Sequence, residues 1–232
     1  MSNNQALVLF SGGQDSTTCL FWARKKFDRV STIGFDYGQR HHSEIAAATK
    51  IAAFAHVSYE VHAIDTFSTI SMNSLTNREI EINEPASKEE LPNTLVEGRN
   101  LLFLTYAAIY AKQLGADNLV IGVGQTDYSG YPDCRNDFII SANTTINLAF
   151  DHEFVIHTPL MWKTKAQIWE MADELGVFDI VRAQTVTCYN GIPGEGCGEC
   201  PSCRLRSAGF NEYLSLKSSG KAHKNQPDHG KL

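Results

Sequence analysis

The stretch Ser11-Gly12-Gly13-Gln14-Asp15-Ser16-Thr17 limits what this chain can become more than any other. It follows the apolar run Ala6-Leu7-Val8-Leu9-Phe10, which is short and continuous enough for a buried strand. Residues 18–25 behind it read as a helix. A strand, a tight glycine turn and a helix N-terminus bring free backbone N–H groups and the positive end of a dipole to one point, which is an anion site. Gly12 and Gly13 permit the backbone angles and the close approach of such a cradle. Ser11, Ser16 and Thr17 add hydroxyls, and Ser16 is placed to cap the helix. The loop lacks the Gly-Lys-[Ser/Thr] ending of a Walker loop, which argues against transfer of a γ phosphate.

Downstream, a strand is expected at 29–34, a helix at 43–54 and a third strand at 57–64. This rhythm predicts an α/β fold: a Rossmann-like, doubly wound parallel sheet of about five strands with right-handed crossovers. Ligands of open parallel sheets sit beyond the carboxyl ends of the strands, so the loops after the first two strands face one site. Asp36, Tyr37, Gln39 and Arg40 are candidates to line it, whereas His41 and His42 read as surface residues. Residues 65–97 are polar and weakly periodic, which fits a lid, a binding loop or disorder. A nearly continuous apolar helix at 101–114 is expected to be buried. Arg99 at its start opposes the helix dipole and so points to an anionic partner. A fourth strand, 119–123, runs into a turn-rich segment with Asp127, Tyr128, Tyr131, Asp133 and Arg135, suited to reading a small, polar, planar substrate. A helix at 136–150, a strand at 154–157 and a helix at 166–175 follow, the last preceded by Lys163-Thr164-Lys165, again a pattern for a nearby phosphate. A helix at 204–216 closes the fold, and the polar tail from 217 to 232 reads as frayed.

Four of the six cysteines crowd into one segment: Cys188, Cys197, Cys200 and Cys203. Their spacing, C-x8-C-x2-C-x2-C on a glycine-rich loop, fits a tetrahedral structural Zn2+. An Fe–S cluster is the rival, although the usual further downstream cysteine is missing. Cys19 reads as a core residue and Cys134 as either core or site wall. The remaining composition sets bounds. With 43% hydrophobic and 20% charged residues, 232 residues suit one globular domain with a small appendage. The expected division is a nucleotide-binding unit at 1–184, a zinc-binding loop with the closing helix at 185–216 and the tail. There is no long apolar run and no leader pattern, so a cytoplasmic protein without a membrane partner is expected. A net charge of −6 makes a nucleic-acid partner unlikely to be drawn in by charge.

Ser-Gly-Gly-x-Asp-Ser resembles the PP-loop of the N-type ATP pyrophosphatases, which split ATP between the α and β phosphates and form an adenylate. Further motifs occur in order: Phe35-Asp36-Tyr37-Gly38-Gln39-Arg40, Gly98-Arg99-Asn100, Ser129-Gly130-Tyr131-Pro132-Asp133-Cys134-Arg135, Thr158-Pro159-Leu160 and the cysteines. Together they resemble the 7-cyano-7-deazaguanine synthase family of queuosine biosynthesis over nearly the whole chain. That resemblance implies an adenine nucleotide alpha hydrolase-like fold and an ATP-dependent C–N ligase, acting on 7-carboxy-7-deazaguanine and ammonia to give the nitrile, AMP and pyrophosphate. It implies ATP as co-substrate, Mg2+, one structural zinc per chain and a homodimer. Carried onto this sequence, ATP contacts fall on Val8, Leu9, Phe10, Ser11, Gly12, Gly13, Gln14, Asp15, Ser16, Thr17 and Thr18. Catalytic roles fall on Asp15, Arg99, Asp127 and Lys163, and substrate contacts on Tyr131, Asp133 and Arg135. Glu97 and Gln125 depart from the family pattern, where proline and glutamate are common. Two alternatives stand beside this reading: a PP-loop ligase or thiolase that modifies tRNA, and a non-catalytic, zinc-stabilised nucleotide-binding protein.

Overall fold

The computed structural model describes residues 4–39, 42–65, 73–77, 79–82, 91–126 and 131–220. The elements run β1 (Gln5–Leu9), α1 (Gln14–Lys26), β2 (Arg29–Asp36), α2 (Ser43–Phe54), β3 (Ser58–Ala63), α3 (Arg99–Leu114) and β4 (Asn118–Val120). A 3-10 turn (Pro132–Cys134), α4 (Asn136–Phe150), β5 (Val155–His157), α5 (Lys165–Glu174), α6 (Phe178–Gln184) and α7 (Pro201–Ser218) complete the order. The five strands form one parallel sheet in the order β3-β2-β1-β4-β5. The chain winds outward from β1 to β3, then crosses back to β4, so β1 and β4 flank the point where the winding reverses. Loops leaving these two strands diverge there and open a crevice at their carboxyl ends.

Alternation along β1 builds both faces of the core. Leu7 and Leu9 join the cluster under α3 and α4, while Ala6, Val8 and Phe10 join the one under α1, α2 and α5. All five residues of β1 are buried, as a continuous apolar strand in a parallel sheet requires. The closing helix belongs to this second core: Tyr213 lies in it, and Phe210 packs edge-on against Trp169 with centroids 5.1 Å apart. Gly209 makes that docking possible, because a Cβ there would stand 2.3 Å from the Cβ of Lys165.

Several expectations need correction. Helix α1 begins at Gln14, not at residue 18, and its N-cap is Gly13. Ser16 is therefore inside the first turn, its Oγ 3.3 Å from the Gly13 carbonyl, and caps nothing. The glycine turn is itself the cap, so no separate capping residue follows it. Helix α3 is not buried all round. Leu104, Ala107, Ala108 and Ala111 face the core, whereas Leu101, Leu102, Tyr106 and Ile109 are exposed. Its near-continuous apolar run covers two faces, of which the sheet uses one. Helix α6 was not foreseen; its seven residues are too few for a readable period. At the carboxyl end, Lys217 still belongs to α7 and pairs with Asp173; residues 221–232 lie outside the described residues.

Candidate active site

A cavity of about 490 Å³ occupies the crevice at the carboxyl ends of β1, β2 and β4. Its floor is the 11–17 loop. Ser11 Oγ lies 3.1 Å from Ser16 Oγ and accepts from Gly13 N at 3.4 Å, which folds the turn over the helix start. First-turn amides of a helix have no acceptor within it and so point to whatever lies beyond. Gln14 is 1% exposed and lines the cavity, yet neither polar atom of its side-chain amide has a hydrogen-bond partner among the described residues. A buried amide without partners costs free energy unless a ligand completes it. The two glycines differ in purpose. Gly12 has φ +81°, and a Cβ there would stand 2.7 Å from both Glu44 O and Ala48 N, so its close approach is to α2 and not to an anion. Gly13 has φ −79°, and a Cβ would meet nothing nearer than 3.5 Å; it lines the cavity and leaves its own space to the ligand.

The cysteine-bearing segment holds this loop from behind. Val186 N donates to Gly12 O at 3.0 Å, and Gln14 N donates to Thr187 Oγ1 at 3.2 Å. Thr187 is fixed in turn by Arg206, whose Nη1 donates to it at 3.0 Å and to Thr185 Oγ1 at 2.9 Å. Arg206 Nη2 donates to the carbonyls of Val181 and Arg182 at 2.8 and 3.1 Å. This guanidinium is 4% exposed and lies 4.9 Å from the centre of the Trp169 ring. Burial lowers it to about 10, and Asp15, Cys203 and Glu195 act in the opposite direction.

The four cysteines meet. Their sulfurs all lie within 4.8 Å of one another, with Cys197 Sγ 3.9 Å from Cys203 Sγ. A tetrahedron of sulfurs at about 2.3 Å from one ion has edges of about 3.8 Å, so the donor set fits a single tetrahedral metal. Backbone amides brace the sulfurs: Asn190 N approaches Cys188 Sγ, and Cys200 N approaches Cys197 Sγ, each at 3.3 Å. The amides of Cys200 and Glu199 pull the Cys197 thiol below its ordinary value. A Cβ on Gly196 would lie 2.3 Å from Cys203 Sγ, so glycine is needed where the loop passes the cluster. Cys188, Tyr189, Pro201 and Ser202 line the cavity as well, and the candidate metal site forms one of its walls.

Of the other anticipated residues, Asp15, Tyr37, Gln39, Arg99, Tyr131 and Cys134 reach the cavity, whereas Asp36 is not among its lining. Asp15 is bonded through both carboxylate oxygens to Lys165 Nζ, at 3.0 and 2.7 Å. The lysine that turns inward is Lys165, 9% exposed; Lys163 is not among the cavity-lining residues. Thr164 caps α5 in a reciprocal capping box with Gln167, which turns Lys165 back over the loop. Arg99 lies over the rings of Tyr37 and Phe103, 5.8 and 6.0 Å from their centres, and donates to Tyr37 Oη at 3.4 Å. Burial works against its charge, but Tyr37, Tyr131, Asp133 and Cys134 outweigh that and raise its affinity for the proton.

Asp133 is buried but does not line the cavity. Its Oδ2 accepts from Asn100 N at 3.0 Å, and its carbonyl from Asn100 Nδ2 at 3.1 Å, so it caps α3 beside Arg99. Arg135 is exposed and outside the lining. Asp127 and Arg40 lie outside the described residues. Gln125 accepts from Asn136 N at 3.0 Å and serves the start of α4; Glu97 is exposed. From the long polar segment, Leu75, Pro92 and Thr94 line the cavity, and Thr94 Oγ1 lies 2.6 Å from Tyr131 Oη.

Of the charged cavity residues, Glu44 is not singled out by the sequence reading, and Lys165, read with Lys163 as a phosphate partner, is passed over for the catalytic role. A signal existed for both. Lys165 heads the buried stripe Ile168, Trp169, Ala172, and Glu44 heads Ala47, Ala48, Ile51. A charged residue in phase with an apolar stripe, at the carboxyl side of a parallel sheet, points where the core ends and the crevice begins. Burial pushes the Glu44 carboxyl up to about 7, with Arg99 opposing the rise.

Comparison with known proteins bears on this geometry. Residues 5–214 match the family model described as queuosine biosynthesis protein QueC. A protein of Bacteroides fragilis named 7-cyano-7-deazaguanine synthase is 56% identical over 218 residues, covering 94% of this chain and all of that one. One of the same name from Clostridium acetobutylicum is 51% identical over 216 residues, covering 93% and 97%. Among solved structures, NMN synthetase from Francisella tularensis superposes with a TM-score of 0.50 at 13% identity, over 97% of this chain and 90% of the other, a likeness of fold.

Proposed function

The chain belongs to the queuosine biosynthesis protein QueC family, and from that premise we propose that it is an enzyme converting 7-carboxy-7-deazaguanine and ammonia into 7-cyano-7-deazaguanine with two molecules of ATP. The observation that carries the reading is the coincidence of the PP-loop, with its unpartnered Gln14 amide, and a cavity shared with Arg99. That site sits in a chain that matches relatives bearing the synthase name over 97–100% of their length.

The chemistry follows from a poor leaving group. A carboxylate does not expel oxide, so one of its oxygens attacks the α phosphorus of ATP and pyrophosphate leaves. Ammonia adds to the resulting acyl adenylate, AMP leaves, and the amide forms. The amide oxygen attacks the second ATP in the same way; loss of AMP and the two N–H protons then leaves the nitrile. The protein positions and stabilises charge. First-turn amides of α1 and the Gln14 amide receive the departing pyrophosphate, and Lys165 adds positive charge beside Asp15. Arg99 holds the carboxylate that is activated. Magnesium, when bound, would neutralise phosphate charge, and Asp15 is the carboxylate beside the loop that could hold it. The four cysteines hold one zinc, whose part is to fix the segment behind the loop. The exposed apolar face of α3 (Leu101, Leu102, Tyr106, Ile109) supports a homodimer buried along it.

Purified protein incubated with ATP, ammonium and 7-carboxy-7-deazaguanine should form a product lighter by the mass difference between carboxylic acid and nitrile, with AMP as the nucleotide. ADP and phosphate, or an unchanged heterocycle, would overturn the proposal.

A further inference from the structure

The cavity is lined by two carboxylates among the described residues, Asp15 and Glu44. Asp15 is bonded to Lys165. Glu44 has no hydrogen-bond or ion-pair partner among the described residues, although Arg99 lies near enough to oppose its burial. Among the described residues, Tyr37, from the loop after β2, and Tyr59, from β3, also face it; each feels its charge. Its backbone is rigidly placed, since Glu44 O packs against Gly12 in the first turn of α2. The same cavity has flat apolar walls: Phe35 and Phe103 stack with centroids 4.4 Å apart. The loop amides and Arg99 serve anions, and Lys165 occupies Asp15. Glu44 is left as the cavity carboxylate without an ion pair among the described residues.

An ionised carboxylate accepts two hydrogen bonds side by side and donates none. We propose that Glu44 is the specificity residue for the heterocycle, accepting from the adjacent N1–H and 2-amino donors of its 2-amino-4-oxopyrimidine edge. The adenine of ATP fits this acceptor less well. Its edge sets one donor beside an acceptor, and that ring nitrogen would face the negative charge. This inference rests on the functional reading above, as it names the group that reads the substrate of that reaction.

Glu44→Gln separates the two bases. A carboxamide keeps one acceptor and adds one donor, which suits an adenine edge and sets donor against donor on the 2-amino-4-oxo edge. The expected result is a rise of about 10–100-fold in KM for the heterocycle, the worth of one bidentate base contact, with KM for ATP within twofold of wild type. Wild type should also disfavour a 2-deamino analogue of the substrate by a similar factor, and Glu44→Gln should lose that discrimination. The analogue measurement stands without the variant if Glu44→Gln does not fold. An unchanged KM for the heterocycle, a rise confined to ATP, or equal handling of the analogue by wild type would overturn the assignment while leaving the reaction in place. Absence of any turnover by wild type would remove the functional reading and this inference with it.

Discussion

Replacing Arg206 by methionine tests how the closing helix is coupled to the PP-loop. The side chain is 4% exposed and donates to four oxygens: two hydroxyls, on Thr185 and Thr187, and the carbonyls of Val181 and Arg182. No carboxylate forms an ion pair with it among the described residues; neutral dipoles take its hydrogen bonds, while Asp15 and Glu195 favour its charge from farther away. Methionine fills much of the volume and keeps contact with Trp169, but removes the guanidinium donors from the four oxygens. Thr187 Oγ1 keeps Gln14 N and the Val181 carbonyl keeps the Thr185 hydroxyl, so the loss falls mainly on Thr185 Oγ1 and the Arg182 carbonyl. Each bare acceptor costs about 1–3 kcal/mol when fully buried, partly offset by the relieved desolvation of the guanidinium. A net loss of about 2–4 kcal/mol corresponds to roughly 5–15 °C in Tm for a chain of this size. The loop should respond too, because Thr187 Oγ1 also receives Gln14 N. KM for ATP is expected to rise several-fold more than kcat falls. Arg206→Lys should restore little, since an ammonium cannot span four acceptors arranged for a planar fork. Thermal unfolding and ATP titrations on the two variants check this. A Tm within about 2 °C of wild type together with an unchanged KM for ATP would refute the coupling.

Other outcomes follow from the same geometry. Gly12→Ala should destabilise the fold, because its Cβ would sit 2.7 Å from backbone atoms of α2; Gly13→Ala should leave Tm nearly unchanged and weaken ATP binding, measured by thermal melts and by titration. Cys200→Ala should lower metal content and expression before it alters chemistry, and metal analysis of the wild type should find one zinc per chain in colourless protein; iron with sulfide would reverse the assignment. Burial lifts the folded-state Glu44 carboxyl from 4.5 to about 7, so its protonated form favours folding at low pH and that contribution is lost as pH rises from about 4.5 through about 7. Glu44→Gln removes the loss, so its Tm relative to wild type should climb between pH 5 and pH 8; a difference independent of pH would contradict the burial argument.

How much of this was legible in the sequence depended on how local the cause was. Strand β1, the ends of α2 and α4, and the parallel winding followed from continuous apolar runs, alanine-rich composition and glycine turns, all of which act within a few residues. The cysteine cluster was legible because metal ligation restricts spacing. What stayed hidden was long-range. Nothing near residue 133 announces that Asp133 caps a helix that starts at residue 99, which removes it from the cavity lining. Which of Lys163 and Lys165 turns inward depends on Gly209 and the capping box at Thr164. The exposed face of α3 is not legible in the sequence because apolar content alone does not say which face the sheet covers.

The central claim is that both ATP molecules activate oxygens of one and the same carboxylate. It is tested most directly with 7-carboxy-7-deazaguanine carrying oxygen-18 in both carboxylate positions. Mass spectra of the products should show one labelled oxygen in each of the two AMP molecules and unlabelled pyrophosphate, with a nitrile that holds no oxygen. Label in pyrophosphate or inorganic phosphate, or its loss to water with AMP unlabelled, would contradict the two adenylations on which the account rests.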